Sequence, residues 1–254
     1  MAHLQLHVCS VTRSAAEHNA SRLRDLGVPI VPLRASHAGV GAAGGDADSY
    51  KGLPTSTLLA VGARVMLKVN LWTVHGLTNG AIMGTVVAIV YADDTHPGRA
   101  ELPQAVVVNF DQYTGPGLRA GTREVAVPVS EFRHDKKAGC TRTQIPLVLG
   151  FATTIHKAQG CSIGIGETVT HMTVDLGPTE FAPGLTYVAV SRAKALTNIA
   201  FKPAPDKSRF QPSKAPKMLA ARLAHDELQR QRAVTTGETY GAIGSEPYGC
   251  EFDV

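Results

Sequence analysis

Leu4, Leu6 and Val8 alternate with polar residues in "LQLHVCSV" (4–11), a pattern that predicts a strand with one buried face. It runs into "SAAEHNASRLRDLG" (14–27), where Ser14 and Glu17 stand in capping-box spacing and Gly27 offers a stop, so a helix is expected. Periodicity is lost in "GVPIVPLRASHAGVGAAGGDADSYKG" (27–52), a Gly/Ala/Asp-rich connector. From Leu58 to Val129 the chain breaks into β-branched runs, "LLAVGARVMLKVN", "GTVVAIVYA", "QAVVVNF" and "REVAVPVS", separated by Gly, Pro, Asn and Asp. Four or five short strands in about 75 residues predict a small barrel. In "QIPLVLGFATTIHKAQG" (144–160), Leu147, Phe151 and Ile155 recur every fourth residue and Gly160 closes the run, which predicts a helix. A strand is expected in "HMTVDLG" (171–177), a helix in "EFAPGLTYVAVSRAKA" (180–195) with Pro183 in its first turn, and a strand in "NIAFKP" (198–203). This alternation implies an α/β fold, a parallel sheet flanked by helices, with the small β-barrel inserted into it. "KAPKMLAARLAHDELQRQRA" (214–233) reads as a last helix with Met218, Leu219, Leu223 and Leu228 on one side, followed by a polar, Gly-rich tail expected to be disordered.

Composition adds a partner class. The formal charge is +4, yet residues 235–254 hold three Glu, one Asp and no Lys or Arg, which leaves +8 on residues 1–234. Such a basic body favours polyanions such as nucleic acid. The cysteines Cys9, Cys140, Cys161 and Cys250 form no C-x-x-C pair and no apolar signal segment opens the chain, so an intracellular, reducing compartment is expected. No apolar run approaches the roughly 20 residues that span a bilayer, and no membrane role is expected.

Two stretches could carry chemistry. In "ATTIHKAQG" (152–160), Thr153, Thr154, His156 and Lys157 offer hydroxyls and cations at one element end, suited to phosphate oxygens. The bland alternative is that His156 and Lys157 are cations placed at a helix C-terminus by the macrodipole. In "TYVAVSRAKAL" (186–196), Arg192 has little acidic company, as an arginine that neutralises a transferred phosphoryl group would require; an ordinary surface arginine looks the same in isolation. "GVGAAG" (39–44) matches a dinucleotide fingerprint by letter, but no helix pattern follows it and no cofactor loop is expected. No metal site is expected.

Taken together, "IPLVLGFATTIHKAQG", "HMTVDLG" and "GLTYVAVSRAKALTNIAF", in that order, resemble the C-terminal motor half of the Pif-type DNA helicases, in the RecD-like branch of helicase superfamily 1. "VGARVMLKVNLWTVHGLTNGAIMGTVVAI" (61–89) is similar to the family segment that opens a small Src-homology-3-like barrel, and "LHVCSVTRSAAEHNASRLRDL" to the start of the second RecA-like domain. The resemblance covers about residues 4–203. It implies a second RecA-like motor domain in two parts, 1–52 and 143–205, an inserted barrel at 55–135, and a helical and disordered tail at 206–254. It further implies that Thr154, His156 and Lys157, with Thr153 beside them, contact single-stranded DNA. Gln159 and Gly160 link the DNA and nucleotide sites, and Arg192, supported by Ser191 and Tyr187, reaches the γ-phosphate of ATP. Asn79 and Gly80 are implied to be fold determinants.

The resemblance implies 5′-to-3′ translocation driven by ATP and Mg²⁺; a DNA substrate in turn places the protein, if its source is a eukaryote, in the nucleus or mitochondrion. Yet the phosphate-cradling G-x-x-x-x-G-K-[ST] loop is absent, no Gly-Lys dipeptide occurs, and the one Asp-Glu pair, Asp226-Glu227, falls in a polar helix pattern. The chain is therefore expected to need a first RecA-like domain, in cis or in trans, and to hydrolyse nothing alone. A non-enzymatic module that binds single-stranded nucleic acid is the alternative. A purely structural small-barrel protein would leave the motifs after residue 143 unexplained.

Overall fold

The computed structural model describes residues 5–80, 83–92, 102–178, 184–210 and 216–240. The chain divides into two compact units, Met1–Arg209 and Phe210–Val254.

The first unit is built on a parallel sheet ordered β12-β1-β13-β14, from β1 (Gln5–Cys9), β12 (Ala152–Thr154), β13 (His171–Asp175) and β14 (Ile199–Phe201). Alternation sends Leu6 and Val8 of β1, with Met172 and Val174 of β13, to a core shared with Leu185 and Ala189 of α2 (Leu185–Val190). On the opposite face Cys9 and Ala152 pack against Ala15 of α1 (Thr12–Arg24). A parallel sheet needs both faces covered, and the strands are accordingly short and apolar.

Between the two parts of that sheet lies an antiparallel one ordered β11-β5-β6-β7-β8: β5 (Arg64–Leu67), β6 (Met83–Val90), β7 (Ala105–Phe110), β8 (Glu124–Pro128) and β11 (Leu147–Leu149). Val106, Val108 and Phe110 alternate inward from β7 and meet Val65, Leu67, Val86, Val127 and Leu147 in a second core. The expected connector of residues 27–52 is more ordered than its composition implies. It holds β2 (Val31–Arg34), paired with β4 (Ser56–Leu59), and β3 (Ser36–Ala38), paired with β10 (Thr141–Gln144), which also pairs with β9 (Ser130–Arg133). Arg142 of β10, fully buried, organises it: Nε donates to His37 Nε2 at 3.0 Å, and the other guanidinium nitrogens donate to the carbonyls of Leu53 and Gly45, each at 2.6 Å. The guanidinium also lies over the Tyr50 ring, 4.1 Å from its centroid.

The helix expected over 144–160 is absent. Leu147–Leu149 pairs antiparallel with β5 and Ala152–Thr154 parallel with β1, so the fourfold spacing serves two cores rather than one helix face. Leu147 and Phe151 belong to the antiparallel-sheet core and Ile155 to the parallel-sheet core. Gly150 lies between, where a Cβ would stand 3.0 Å from Met83 Cε and 3.1 Å from Met66 Cγ. The Ser14–Glu17 capping box does not form either: α1 starts at Thr12 with no side-chain cap, and Glu17 pairs with Arg13 at 2.8 Å. Within the expected helix of 180–195 only Leu185–Val190 is helical, and residues 179–183, including Pro183, lie outside the described residues.

In the second unit α3 runs from Pro216 to Tyr240, past the expected end, and Leu223 and Leu228 of its expected apolar side are exposed. The expected disorder beyond it falls mostly on residues 241–254, which lie outside the described residues.

One side chain splices β12 to the rest. Asn19 of α1 donates from Nδ2 to the Ala152 carbonyl at 2.9 Å, and its Oδ1 accepts the Ala152 N–H at 2.8 Å, mimicking a neighbouring strand. Asn19→Ala orphans both groups and should cost about 2 kcal/mol. A fall in the denaturation midpoint at unchanged slope would show it, whereas an unchanged midpoint would remove the splice from the account.

His7, His18 and His37 all have pKa values held below the ordinary 6.5, by burial first; nearby cations add to this, Lys202 for His7, Arg22 and Lys202 for His18, and Arg142 for His37. Asp175 opposes the shift at His7 and Asp25 at His18. A depressed folded pKa makes stability complete above about 6.5 and progressively lost as pH falls through the folded values. Midpoints measured from about pH 8 down to 5 should therefore drop on acidification. A flat profile would contradict the assignment.

Candidate nucleic-acid interface

β12 is an edge strand, and its last residue Thr154 lies beside Cys9 at the carboxyl end of the parallel sheet, where open α/β sheets place ligands. The chain leaves it in a tight turn. Ile155 N–H bonds to the Cys9 carbonyl at 2.9 Å, Ala158 N–H to the Thr154 carbonyl at 3.0 Å, and Lys157 N–H reaches Thr154 Oγ1 at 3.4 Å. Ile155 and Ala158 point inward, fully buried, so His156, Lys157, Gln159 and Gly160 are turned outward. Gly160 closes the turn at φ +87°, in the left-handed region. Thr153 and Thr154 are buried, and the Thr154 hydroxyl is engaged within the turn.

Two cavities meet at this turn, sharing Met66, Gly80, Thr153 and Lys157. One, of about 430 Å³, passes Asn79 and Gln112 towards Gln159 and Gly160. The other, of about 400 Å³, runs along Thr12, Asn19, Thr57 and Lys68. Together they form a groove with Lys157 at the junction. Lys68 has its pKa lowered, by burial first and then by the Lys157 charge, with Asp48 opposing. Two ammonium groups that repel each other in a groove are an arrangement relieved by an anion. The Thr57 hydroxyl, buried without a hydrogen-bond partner among the described residues, adds an unused polar group to the groove lining.

Lys68, Thr57 and Gln112 were not singled out by the sequence. For Lys68 a signal existed: in "VMLKVN" it follows the buried run Val65–Leu67, a cation at the end of an otherwise apolar strand. Gly80 adopts φ +72°, and the backbone N–H of Asn79 bonds to the Asn70 side-chain Oδ1 at 2.8 Å; both residues also line the groove.

Arg192 sits apart, just beyond α2. Its Nε donates to the Val188 carbonyl at 3.2 Å and its Nη2 to Ser191 Oγ at 3.2 Å, and among the described residues it has no carboxylate partner. Tyr187 is exposed on α2 and meets this group through its carbonyl, which accepts the Ser191 N–H at 2.9 Å. The two motifs are joined by backbone. Ile163 N–H bonds to the Arg192 carbonyl at 2.9 Å and Lys194 N–H to the Ile163 carbonyl at 2.8 Å, reinforced by a Lys194–Glu167 ion pair. Burial pushes the Cys161 thiol pKa up and the Arg192 charge opposes this, which places the end of the Lys157 turn within electrostatic reach of Arg192.

The described residues contain one cluster with metal-ligating geometry, His7, Cys9 and Asp175, whose donor atoms lie within 4.8 Å of one another. The Cys9 thiol is pushed up to about 11 by burial and by Asp175. No described helix is long and apolar enough to cross a membrane.

The chain is a homologue of Pif1-family ATP-dependent DNA helicases. It is 32% identical over 199 residues to the ATP-dependent DNA helicase PIF7 of Trypanosoma brucei brucei, covering 71% of this chain and 18% of that protein. With the ATP-dependent DNA helicase PIF1 of Danio rerio the identity is 34% over 148 residues, 58% of this chain and 19% of that one. The chain thus spans about a fifth of the length of the curated relatives it matches. No protein-family model matches it. Among solved structures, the Pif1 helicase of Candida albicans superposes with a TM-score of 0.66 at 20% identity, covering 87% of this chain and 50% of that one. Bacteroides Pif1 bound to single-stranded DNA gives 0.59 at 21% identity, covering 88% and 46%. This likeness establishes a RecA-like helicase fold.

Because Lys157 contributes to the depressed Lys68 pKa, Lys157→Ala should raise it part of the way back, leaving the share due to burial. Titration of labelled lysine side chains by NMR reads this directly; an unmoved Lys68 would separate the two charges.

Proposed function

We propose that this chain, a homologue of Pif1-family helicases, is the second RecA-like motor domain of an ATP-dependent DNA helicase, with residues 55–135 forming an inserted Src-homology-3-like barrel. The observation that carries the reading is the pair Lys157 and Lys68 in a groove at the carboxyl end of the parallel sheet, bonded through Ile163 to the segment that holds Arg192.

In this reading the groove grips the phosphates of single-stranded DNA. Lys157 and His156 face outward from the turn and meet the backbone, and Thr154 holds the turn in shape by accepting the Lys157 N–H. Contacts of this kind track a strand without reading its bases. Bound ATP with Mg²⁺ supplies the free energy of phosphoryl transfer, and Arg192 is the group of this chain suited to it: a guanidinium without a carboxylate partner among the described residues, free to neutralise charge on a γ-phosphate. Among the described residues its hydrogen-bond partners include no carboxylate pair for Mg²⁺, and no phosphate-cradling loop occurs in the sequence, so this chain fits one side of such a site. The loop and the metal ligands then come from a first RecA-like domain, in cis or in trans. Closure between the two domains would move the strand 5′ to 3′, in the nucleus or mitochondrion if the source is a eukaryote. The alternative, a non-enzymatic module that binds single strands, shares the groove and leaves Arg192 without a role.

Two measurements test the reading. Affinity for an oligothymidylate should fall linearly with salt on logarithmic axes, and Lys157→Ala should reduce the slope by about 0.7, the share of one phosphate on a single strand. Salt-independent binding would sink the groove assignment. When the chain is joined to its first motor domain, Arg192→Ala should lower the ATP turnover rate about 1,000-fold and leave nucleotide-free DNA affinity unchanged. Full turnover by that variant would favour the non-enzymatic alternative.

A further inference from the structure

The loop 70–80 of the antiparallel-sheet region carries the chain's single tryptophan, Trp72, which is 45% exposed, and beside it Val74, 83% exposed. Their exposure is not the result of a loose loop. Leu71 and Trp72 N–H both bond to the Leu77 carbonyl, at 3.0 and 3.3 Å, and Leu77 N–H returns a bond to the Trp72 carbonyl at 3.0 Å. A 3₁₀ turn, Thr73–His75, closes at Gly76 with φ +87°, and the Leu77 side chain is anchored in the core. The indole is fixed at its edges as well. The His75 ring stands at 82° to it with centroids 4.3 Å apart, and Tyr113 lies 6.5 Å away and packs edge-on to His75. A large aromatic face is thus held rigid in solvent, where burial would otherwise be favoured.

The far end of the same loop is the groove wall. Asn79 and Gly80 line the cavity with Lys157, as does Gln112, the residue before Tyr113. Thr114 N–H bonds to the His75 carbonyl at 3.3 Å, tying the two segments together. An exposed aromatic plane on a loop whose far end walls a lysine-bearing groove is a combination suited to sequence-independent single-strand binding: cations follow the phosphates and an aromatic face takes a base. We infer that Trp72 is a stacking platform for an unpaired nucleobase of the strand held in the groove, with His75 and Tyr113 as its positioning residues. The inference rests on the groove reading above and adds to it a base contact where that reading has only phosphate contacts. It predicts a preference for single over duplex DNA, whose bases are already stacked.

Because Trp72 is the only tryptophan, its fluorescence reports on this face alone. The experiment titrates the full chain with end-labelled oligothymidylate and with an abasic oligonucleotide of equal length, reading label anisotropy for binding and tryptophan emission for stacking. The expected result is binding of both, with quenching by oligothymidylate only. Trp72→Ala should weaken oligothymidylate about tenfold, bring it close to the abasic affinity, and leave the salt slope unchanged. Trp72→Phe, which keeps a ring, should retain most of the affinity; thermal melts of both variants check that they fold. Binding without quenching, or Trp72→Ala binding like the native chain, overturns the platform and leaves the phosphate groove standing. Absence of binding by the native chain overturns both. Self-association that buries Trp72 without DNA, seen in sedimentation, assigns the face to a second copy and overturns the platform as well.

Discussion

The structure depends on the parallel pairing of β12 with β1, two segments more than 140 residues apart in sequence. Everything between them must leave the sheet and return to it, and the return is fixed over only three residues, His7–Cys9 against Ala152–Thr154. So short a pairing closes a very long loop, and the closure entropy rises only slowly with loop length, so the cost is set mainly by how well the last strand is held. The Asn19 carboxamide supplies that hold on the free side of β12, satisfying both backbone groups of Ala152. Its effect reaches the proposed DNA-contacting surface because the Lys157 turn begins one residue after β12 ends, and its first hydrogen bond, from Ile155, is made to Cys9 of β1.

The wall opposite the turn is set by a second buried interaction. Arg142 carries a charge into a fully buried position, held by carbonyl dipoles and an aromatic face, with the Asp46 charge in support. Such a site is costly unless every donor finds an acceptor, which is why the loop that supplies Gly45 and Leu53 is ordered despite its glycines. Gly39 shows the tightness of that closure: at φ +95°, a Cβ there would come 2.3 Å from the Gly139 carbonyl oxygen. The segment that follows includes Gly52, Ser56 and Thr57, all of which line the groove. Charge burial at Arg142 therefore shapes a surface some distance from it in the fold.

These two interactions also explain what could be read from the sequence. β1 was readable from its alternation, since one buried face imposes period two wherever the strand lies, and β7 from its β-branched run between turn residues. The segment 144–160 was not, because its apolar spacing is the sum of two cores meeting at Gly150, and a single-sequence pattern cannot assign Leu147 and Ile155 to different neighbours. The ordering of 27–52 was hidden for a related reason: its acceptors serve a guanidinium about 90 residues away. Arg192 and Lys157 stood out because each is a cation among apolar or hydroxyl residues. Lys68 did not, because what marks it is the neighbouring Lys157 charge across the groove, a relation made by the fold.

That relation bears on how the two motifs can act as one. Gly160 to Ile163 connects the turn that displays Lys157 to the backbone that holds Arg192, and Ile163 is buried, bonded to Arg192 on one side and to Lys194 on the other. A displacement of the Arg192 backbone would therefore either carry Ile163 with it or break the bond between them. The Glu167–Lys194 pair resists the second course, and Gly164 and Gly166, at φ +156° and +88°, give the intervening loop freedom to follow. Coupling in the proposed motor would accordingly pass through a short, stiff backbone link, with the lysines of the groove at its far end. For such a link to bias DNA grip in the proposed motor, its two ends need two discrete arrangements, and the Lys68–Lys157 repulsion, which a phosphate between them would relieve, is one contribution that would favour the occupied one.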